Sequence, residues 1–262
     1  MSLPRLLVIM GSGETSPTMV KTHRAVLARL GPPPVPAVLI DTPFGFQANA
    51  DDLWARAAGY FRASVGAEID LASLRTAEDA DPVAHEVALD RLRRARFVFS
   101  GPGSPSYALR VWAGTAVPGI LTGKLTTGGC VTFASAAALT LGALTVPVYE
   151  IYKVGDEPRW LAGLDLLAAA GLRAAVIPHF DNAEGGTHDT RFCYLGESRL
   201  RALEAQMPEG AFVLGVDEHT ACILDLDAGS ATVAGLGAVT VRAAGRAEVV
   251  AAGESMTIAE MA

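Results

Sequence analysis

Short apolar runs alternate with longer amphipathic stretches through the first half of the chain. "RLLVIM" (5–10) is followed at once by "GSGE", as when a buried parallel strand meets a loop. "PTMVKTHRAVLARLG" (17–31) predicts a helix closed by Gly31. "PAVLIDTPFG" (36–45) predicts a second strand and its turn. Trp54, Ala58, Phe61 and Val65 recur at helical spacing within residues 48–66, and "EIDLASL" (68–74) is a candidate third strand. A helix is expected over residues 81–95, with Asp81 as its cap and Pro82 at its first position. "RFVFSGPGSP" (96–105) predicts a strand and a glycine loop, and "YALRVWAG" the helix after it. "GCVTFAS" (129–135) and "AAALTLGA" (136–143) repeat the alternation. This order predicts an α/β fold, a doubly wound and mostly parallel sheet flanked by helices. Residues 210–258 predict a β-rich C-terminal portion of antiparallel strands in the same domain. "GPPPVP" (31–36) is a stiff loop rather than a domain boundary, and no repeat or long linker is visible.

In such a sheet the functional crevice lies at the carboxyl ends of the strands. The loops at Gly11–Glu14, Gly101–Ser106 and Ala134–Ala137 are therefore expected to converge. Ser135 stands where a strand hands over to a helix, which exposes a hydroxyl and aims the first helical amides at whatever it attacks. His179 closes one apolar run in "AAVIPHFDN", and Glu218 follows another in "VLGVDEHTA". A nucleophile, a general base and an acid to orient the base would make a triad of these three. Each also has a plainer reading: a small core residue in an alanine-rich helix, a loop histidine, a solvated turn. Two backbone donors could hold an oxyanion. One is the N–H of Ala136. The other lies in "SGPGSP", where Pro102 and Pro105 have no N–H and leave Gly103 or Ser104.

Composition narrows the chemistry. Half of the 262 residues are hydrophobic and 19% are charged, enough for a sizeable core. A formal net charge of −7 argues against nucleic-acid and anionic-membrane partners. Cys130, Cys193 and Cys222 are an odd number without a CxxC pair, so neither a disulfide framework nor a zinc site is expected, and a reducing, cytoplasmic setting fits. Cys130 falls inside the apparent strand and is read as a buried thiol. "GSGET" lacks the spacing of a nucleotide loop, so no cofactor is expected. The polar segment 179–197 offers Asn182, Glu184 and Arg191 to a polar substrate, Arg191 being suited to a carboxylate. Its histidines and carboxylates invite a metal, but their spacing matches no metal motif and none is expected. Glu150 and Lys153 would line the pocket of a hydrolase or form an ion pair at a sheet edge, and the ion pair is the preferred reading.

These stretches resemble the cyanophycinase and dipeptidase E group of serine peptidases. "GVDEHTACILD" is similar to their glutamate motif, "IPHF" to their histidine motif, "FVFSGPGSPSYALR" to their glycine loop and "FASAAA" to their nucleophile elbow. The resemblance implies a single class I glutamine amidotransferase-like domain over residues 1–262, with Ser135 as nucleophile, His179 as base and Glu218 as acid. It implies hydrolysis of a peptide or amide bond in a small or aspartyl-type substrate. This fold often dimerises, and the hydrophobic content leaves room for an apolar interface. Two departures stand in the elbow, where Phe133 and Ala137 occupy glycine positions, and the neighbouring loop reads Gly101-Pro102-Gly103. A Phe133 ring filling the oxyanion site would favour the alternative, an inactive or altered member of the fold that binds a small polar ligand. A ring turned into the sheet would favour the hydrolase.

Overall fold

A computed structural model describes residues 2–76, 81–243 and 245–261. Its first half runs β1 (Arg5–Met10), α1 (Val20–Arg29), β2 (Ala37–Ile40), α2 (Ala50–Tyr60), β3 (Asp70–Ala72), α3 (Pro82–Arg94), β4 (Phe97–Ser100), α4 (Pro105–Trp112), α5 (Val117–Thr127), β5 (Gly129–Ala134) and α6 (Ser135–Leu139). A short hairpin, β6 (Leu144–Thr145) and β7 (Leu161–Ala162), leads to β8 (Ala174–Ile177) and α7 (Gly196–Glu204). The chain ends in β9 (Phe212–Val216), β10 (Thr220–Asp225), β11 (Ser230–Gly235), β12 (Ala238–Ala243), β13 (Arg246–Ala251) and β14 (Ser255–Thr257).

The main sheet has the order β14-β11-β10-β1-β5-β4-β2-β3. From β1 to β3 every neighbouring pair is parallel, and β10, β11 and β14 add antiparallel strands beyond β1. Its central strands β1, β2, β4 and β5 are buried on both faces, which is why they read as unbroken apolar runs. The strand period of two sorts its side chains. Leu7, Ile9, Val98, Val131 and Phe133 pack with α3, α4 and α5. Leu6, Val8, Phe97, Phe99 and Cys130 face Met19, Val26 and Phe61 on the other side.

The expected elements form, with informative differences at their ends. Asp81 caps α3 by accepting from the Val83 N–H at 3.0 Å, with Pro82 in the first turn. α2 continues past Tyr60 as a wider turn over Phe61–Val65, which buries Phe61 and Val65 before Gly66 closes it. α6 stops at Leu139, short of the expected residue 143, where the N–H groups of Thr140 and Leu141 turn to the carbonyls three residues back, Ala137 at 3.0 Å and Ala138 at 3.2 Å. The C-terminal strands divide. β10, β11 and β14 extend the main sheet, whereas β9, β12 and β13 join β8 in a second sheet of order β13-β12-β9-β8. Within it β8 and β9 are parallel, with Ile177 level with Gly215. Among the described residues no helix is long and apolar enough to cross a membrane.

Candidate functional site

The first three loops do meet. β1, β5 and β4 are adjacent and end level, Met10 beside Ala134 and Ser100 beside Phe133. The Gly101 carbonyl accepts from the Ala137 N–H at 3.1 Å. Glu14, 8% exposed, lies alongside, with Oε1 3.2 Å from where a Cβ on Gly101 would stand. Burial pushes the Glu14 carboxyl up, against its own backbone N–H and the nearby His179 and His219.

The main sheet supplies Ser135, and the parallel pair of the second sheet supplies the other two groups. Ser135 begins α6 with φ +50°, a left-handed conformation that costs a residue with a Cβ about 1–2 kcal/mol. Its Oγ lies 2.9 Å from His179 Nε2. His179, just past β8, is also left-handed at φ +48°, and the Phe180 N–H donates to the Val216 carbonyl on β9 at 3.1 Å. Gly215 permits this crossing, since a Cβ there would stand 2.4 Å from the Phe180 ring. His179 Nδ1 lies 2.8 Å from Glu218 Oε1, one residue beyond Asp217 at the end of β9. A carboxylate only accepts, so Nδ1 carries the proton and Nε2 is left to accept from the serine hydroxyl. Although burial pushes the Glu218 carboxyl up, the bonds from His179 and Asn182 outweigh it and hold the group below its ordinary value. The Glu218 N–H is itself anchored on Asp181 Oδ1 at 2.7 Å.

Of the two candidate second donors, only one is available. The Ser104 N–H is spent on the Pro43 carbonyl at 2.7 Å, and its hydroxyl caps α4 by accepting from the Tyr107 N–H at 3.2 Å. The expectation of Ser104 in the oxyanion site is therefore corrected: it secures the loop. Gly103 lines the same cavity as Ser135 and Ala136, at φ +134°, and a Cβ on it would stand 1.9 Å from the Pro43 carbonyl oxygen. The N–H of Ala136 lies in the first turn of α6, where no intrahelical acceptor exists. Phe133 is 0% exposed and leans on Trp112, ring centroids 5.9 Å apart. It is turned into the sheet and is absent from the cavity wall. Ala137 does not have a positive φ, so alanine replaces glycine there without strain.

The cavity measures about 390 Å³, and its far wall is built from Tyr149, Tyr152, Lys153, Glu184, His188 and Tyr194. Glu184 lines it, with Oε2 accepting from the Tyr194 hydroxyl at 2.7 Å. Arg191 does not line it. Its guanidinium forms a two-pronged pair with Asp189, both bonds 2.9 Å, and is not available to a substrate carboxylate. Asn182 also lies off the wall, buried beneath it. Lys153 is not paired with Glu150, which accepts instead from the Ser106 hydroxyl, and it has no acidic partner among the described residues. It projects over the Tyr152 ring at 4.7 Å. The sequence reading missed Tyr149, Tyr152 and Tyr194. Phe192, Cys193 and Tyr194 share left-handed φ values of +60°, +55° and +66°, and no local pattern announces such a run. Cys130 is fully buried away from the cavity, and burial pushes its thiol up to about 12. Among the described residues no group of three or more potential ligands is gathered for a metal.

Asp217, between β9 and Glu218, titrates unusually. Burial first, then the neighbouring Asp181 and Glu218, push it from 3.8 to about 6 against the bond it accepts from the Ala238 N–H. The folded protein thus holds a proton that the unfolded chain releases earlier, and stability falls as pH rises from 3.8 through about 6. D217N is expected to lose this slope. Its melting temperature should match the wild type near pH 4 and exceed it near pH 7, as read by thermal unfolding. Equal differences at both pH values would contradict the assignment.

No protein-family model matches the chain, and no curated protein matches it. Solved structures do. A crystal structure of a peptidase from an acI-B1 Actinobacterium superposes with a TM-score of 0.78 at 20% identity, covering 98% of each chain. A structure described as a "Putative Peptidase E Protein from Listeria monocytogenes EGD-e" gives 0.60 at 11% identity, over 89% of this chain and 100% of that one. The mostly parallel α/β fold with its β-rich end is thus one also found in peptidases.

Proposed function

We propose that the protein is a serine hydrolase of the cyanophycinase and dipeptidase E type, one class I glutamine amidotransferase-like unit over residues 1–262. Its reaction is cleavage of a peptide or amide bond in a small or aspartyl-type substrate. The observation that carries this reading is the unbroken relay from Ser135 Oγ through His179 to Glu218, with bonds of 2.9 and 2.8 Å. The peptidase neighbours support it at the level of fold.

In the reaction, Ser135 Oγ attacks the carbonyl carbon as its proton passes to His179 Nε2. The carbonyl oxygen becomes an oxyanion between the N–H groups of Ala136 and Gly103, each such donor contributing about 3 kcal/mol. Glu218 stabilises the imidazolium. The C–N bond breaks as Nε2 returns the proton to the leaving amine. Water then attacks the acyl ester, giving its proton to Nε2 and its oxygen to the product acid, and the C–Oγ bond breaks as Nε2 returns the proton to Ser135 Oγ. Lys153 is the cavity cation open to the carboxylate of an aspartyl side chain.

A fluorophosphonate probe tests the nucleophile without any choice of substrate. One equivalent is expected on Ser135 by intact mass and peptide mapping, and none in S135A. Labelling of a different residue, or of none, would overturn the reading.

A further inference from the structure

Beneath the cavity wall lies Asn182, a polar side chain that is only 1% exposed. Its Nδ2 is 3.3 Å from Glu218 Oε1, the same oxygen that receives His179 Nδ1. Its Oδ1 accepts from the Glu184 N–H at 3.2 Å, and its own N–H donates to the His179 carbonyl at 3.2 Å. The chemistry of the partners leaves one orientation for the amide. A carboxylate can only accept and a backbone N–H can only donate, so nitrogen faces Glu218 and oxygen faces Glu184. Aspartate would keep the acceptor and lose the donor, and alanine would lose both. Among the described residues the Glu218 carboxylate takes side-chain hydrogen bonds from His179 and Asn182 alone.

We propose that Asn182 is a positioning residue that holds the Glu218 carboxylate on His179 and fastens the cavity wall at Glu184 to the same unit. Its catalytic meaning rests on the hydrolase reading above, while its structural content does not. The donor fixes which carboxylate oxygen faces the imidazole, so the ring stays aligned for Ser135. The acceptor fixes the start of the segment that carries Glu184, whose carboxylate takes the Tyr194 hydroxyl in the cavity. One side chain thereby sets the distance between the reacting hydroxyl and the group that meets the substrate.

The test uses the full-length wild type, N182D and N182A, with two readouts. The first is the rate of fluorophosphonate labelling across pH 5 to 9. N182D should be labelled about 10- to 100-fold more slowly at neutral pH, the loss of one hydrogen bond to a charged group. The acid limb of its profile should move to higher pH, because a second carboxylate beside Glu218 favours the protonated form of the coupled pair. Glu14 and Tyr194 lie near the His179 ring, Asp181, Asp217 and His219 lie near Glu218, and all five are unchanged in the variant. The second readout is the low-field Nδ1–H proton resonance of His179, which requires no catalysis and should shift or vanish in both variants. A folded N182D with the wild-type rate, an unmoved acid limb and an unchanged resonance would overturn the proposal. If N182A fails to fold, N182D decides, being of the same size. If the wild type is not labelled, the hydrolase reading fails and the resonance alone decides the role of Asn182.

Discussion

Replacing Ser135 by alanine is expected to lower kcat on any amide or ester substrate by about 10⁶-fold, leaving only the turnover that the oxyanion donors and binding provide. The residue contributes a nucleophile and half of the bond that aligns the base, so nothing else in the cavity substitutes for it. Cys193 lines the same cavity, but burial pushes its thiol up to about 12, far from a thiolate at neutral pH. Glu218→Gln is the informative companion and should cost about 10⁴-fold. A glutamine amide can donate to Nδ1, which moves the imidazole proton to Nε2 and removes the acceptor that Ser135 needs. Steady-state hydrolysis of an activated ester by purified wild type, S135A and E218Q measures both effects. Activity of S135A within tenfold of the wild type would place the chemistry elsewhere.

The second large effect concerns stability. Phe133→Gly restores the glycine that the resemblance would put in the elbow, yet it is expected to destabilise the protein by about 3–6 kcal/mol. Deleting a buried phenylalanine side chain costs about 3–5 kcal/mol, and glycine within a strand adds up to about 1 more. That is a large part of the roughly 5–15 kcal/mol that holds a domain folded. The ring fills the space between β5 and α4 against Trp112, whose indole N–H is satisfied by the Thr42 hydroxyl at 2.9 Å. Thermal unfolding should show a fall of roughly 10–20 °C. A variant that melts with the wild type and turns over faster would mean that the ring obstructs the crevice instead of supporting it.

Much of the fold was legible because buried parallel strands must be apolar on both faces, and runs such as "RLLVIM" and "RFVFS" can satisfy little else. The cap at Asp81 was legible for a local reason, since its partner is two residues away. Three candidate residues of the relay were legible because each follows a strand, and a strand end is where an α/β sheet presents side chains. What failed were statements about pairing. Arg191 looked free, but Asp189 two positions earlier claims its guanidinium. Ser104 looked like a donor, but the Pro43 carbonyl, distant in sequence, takes its N–H. Glu150 and Lys153 looked like partners because they are neighbours in sequence, and the fold instead gives Glu150 the Ser106 hydroxyl and turns Lys153 to the cavity.

By itself the sequence determined the order and type of the elements, the strand ends where chemistry can stand, and the burial of Cys130, because periodicity and capping act over a few residues. The tertiary structure alone decided that the C-terminal strands divide between two sheets and that one of these brings His179 and Glu218 to a serine on the other. It also decided which cavity residues remain free to meet a ligand. Hydrogen-bond partners are chosen by distance in space, and for groups far apart in the chain that distance exists only once the sheets have packed.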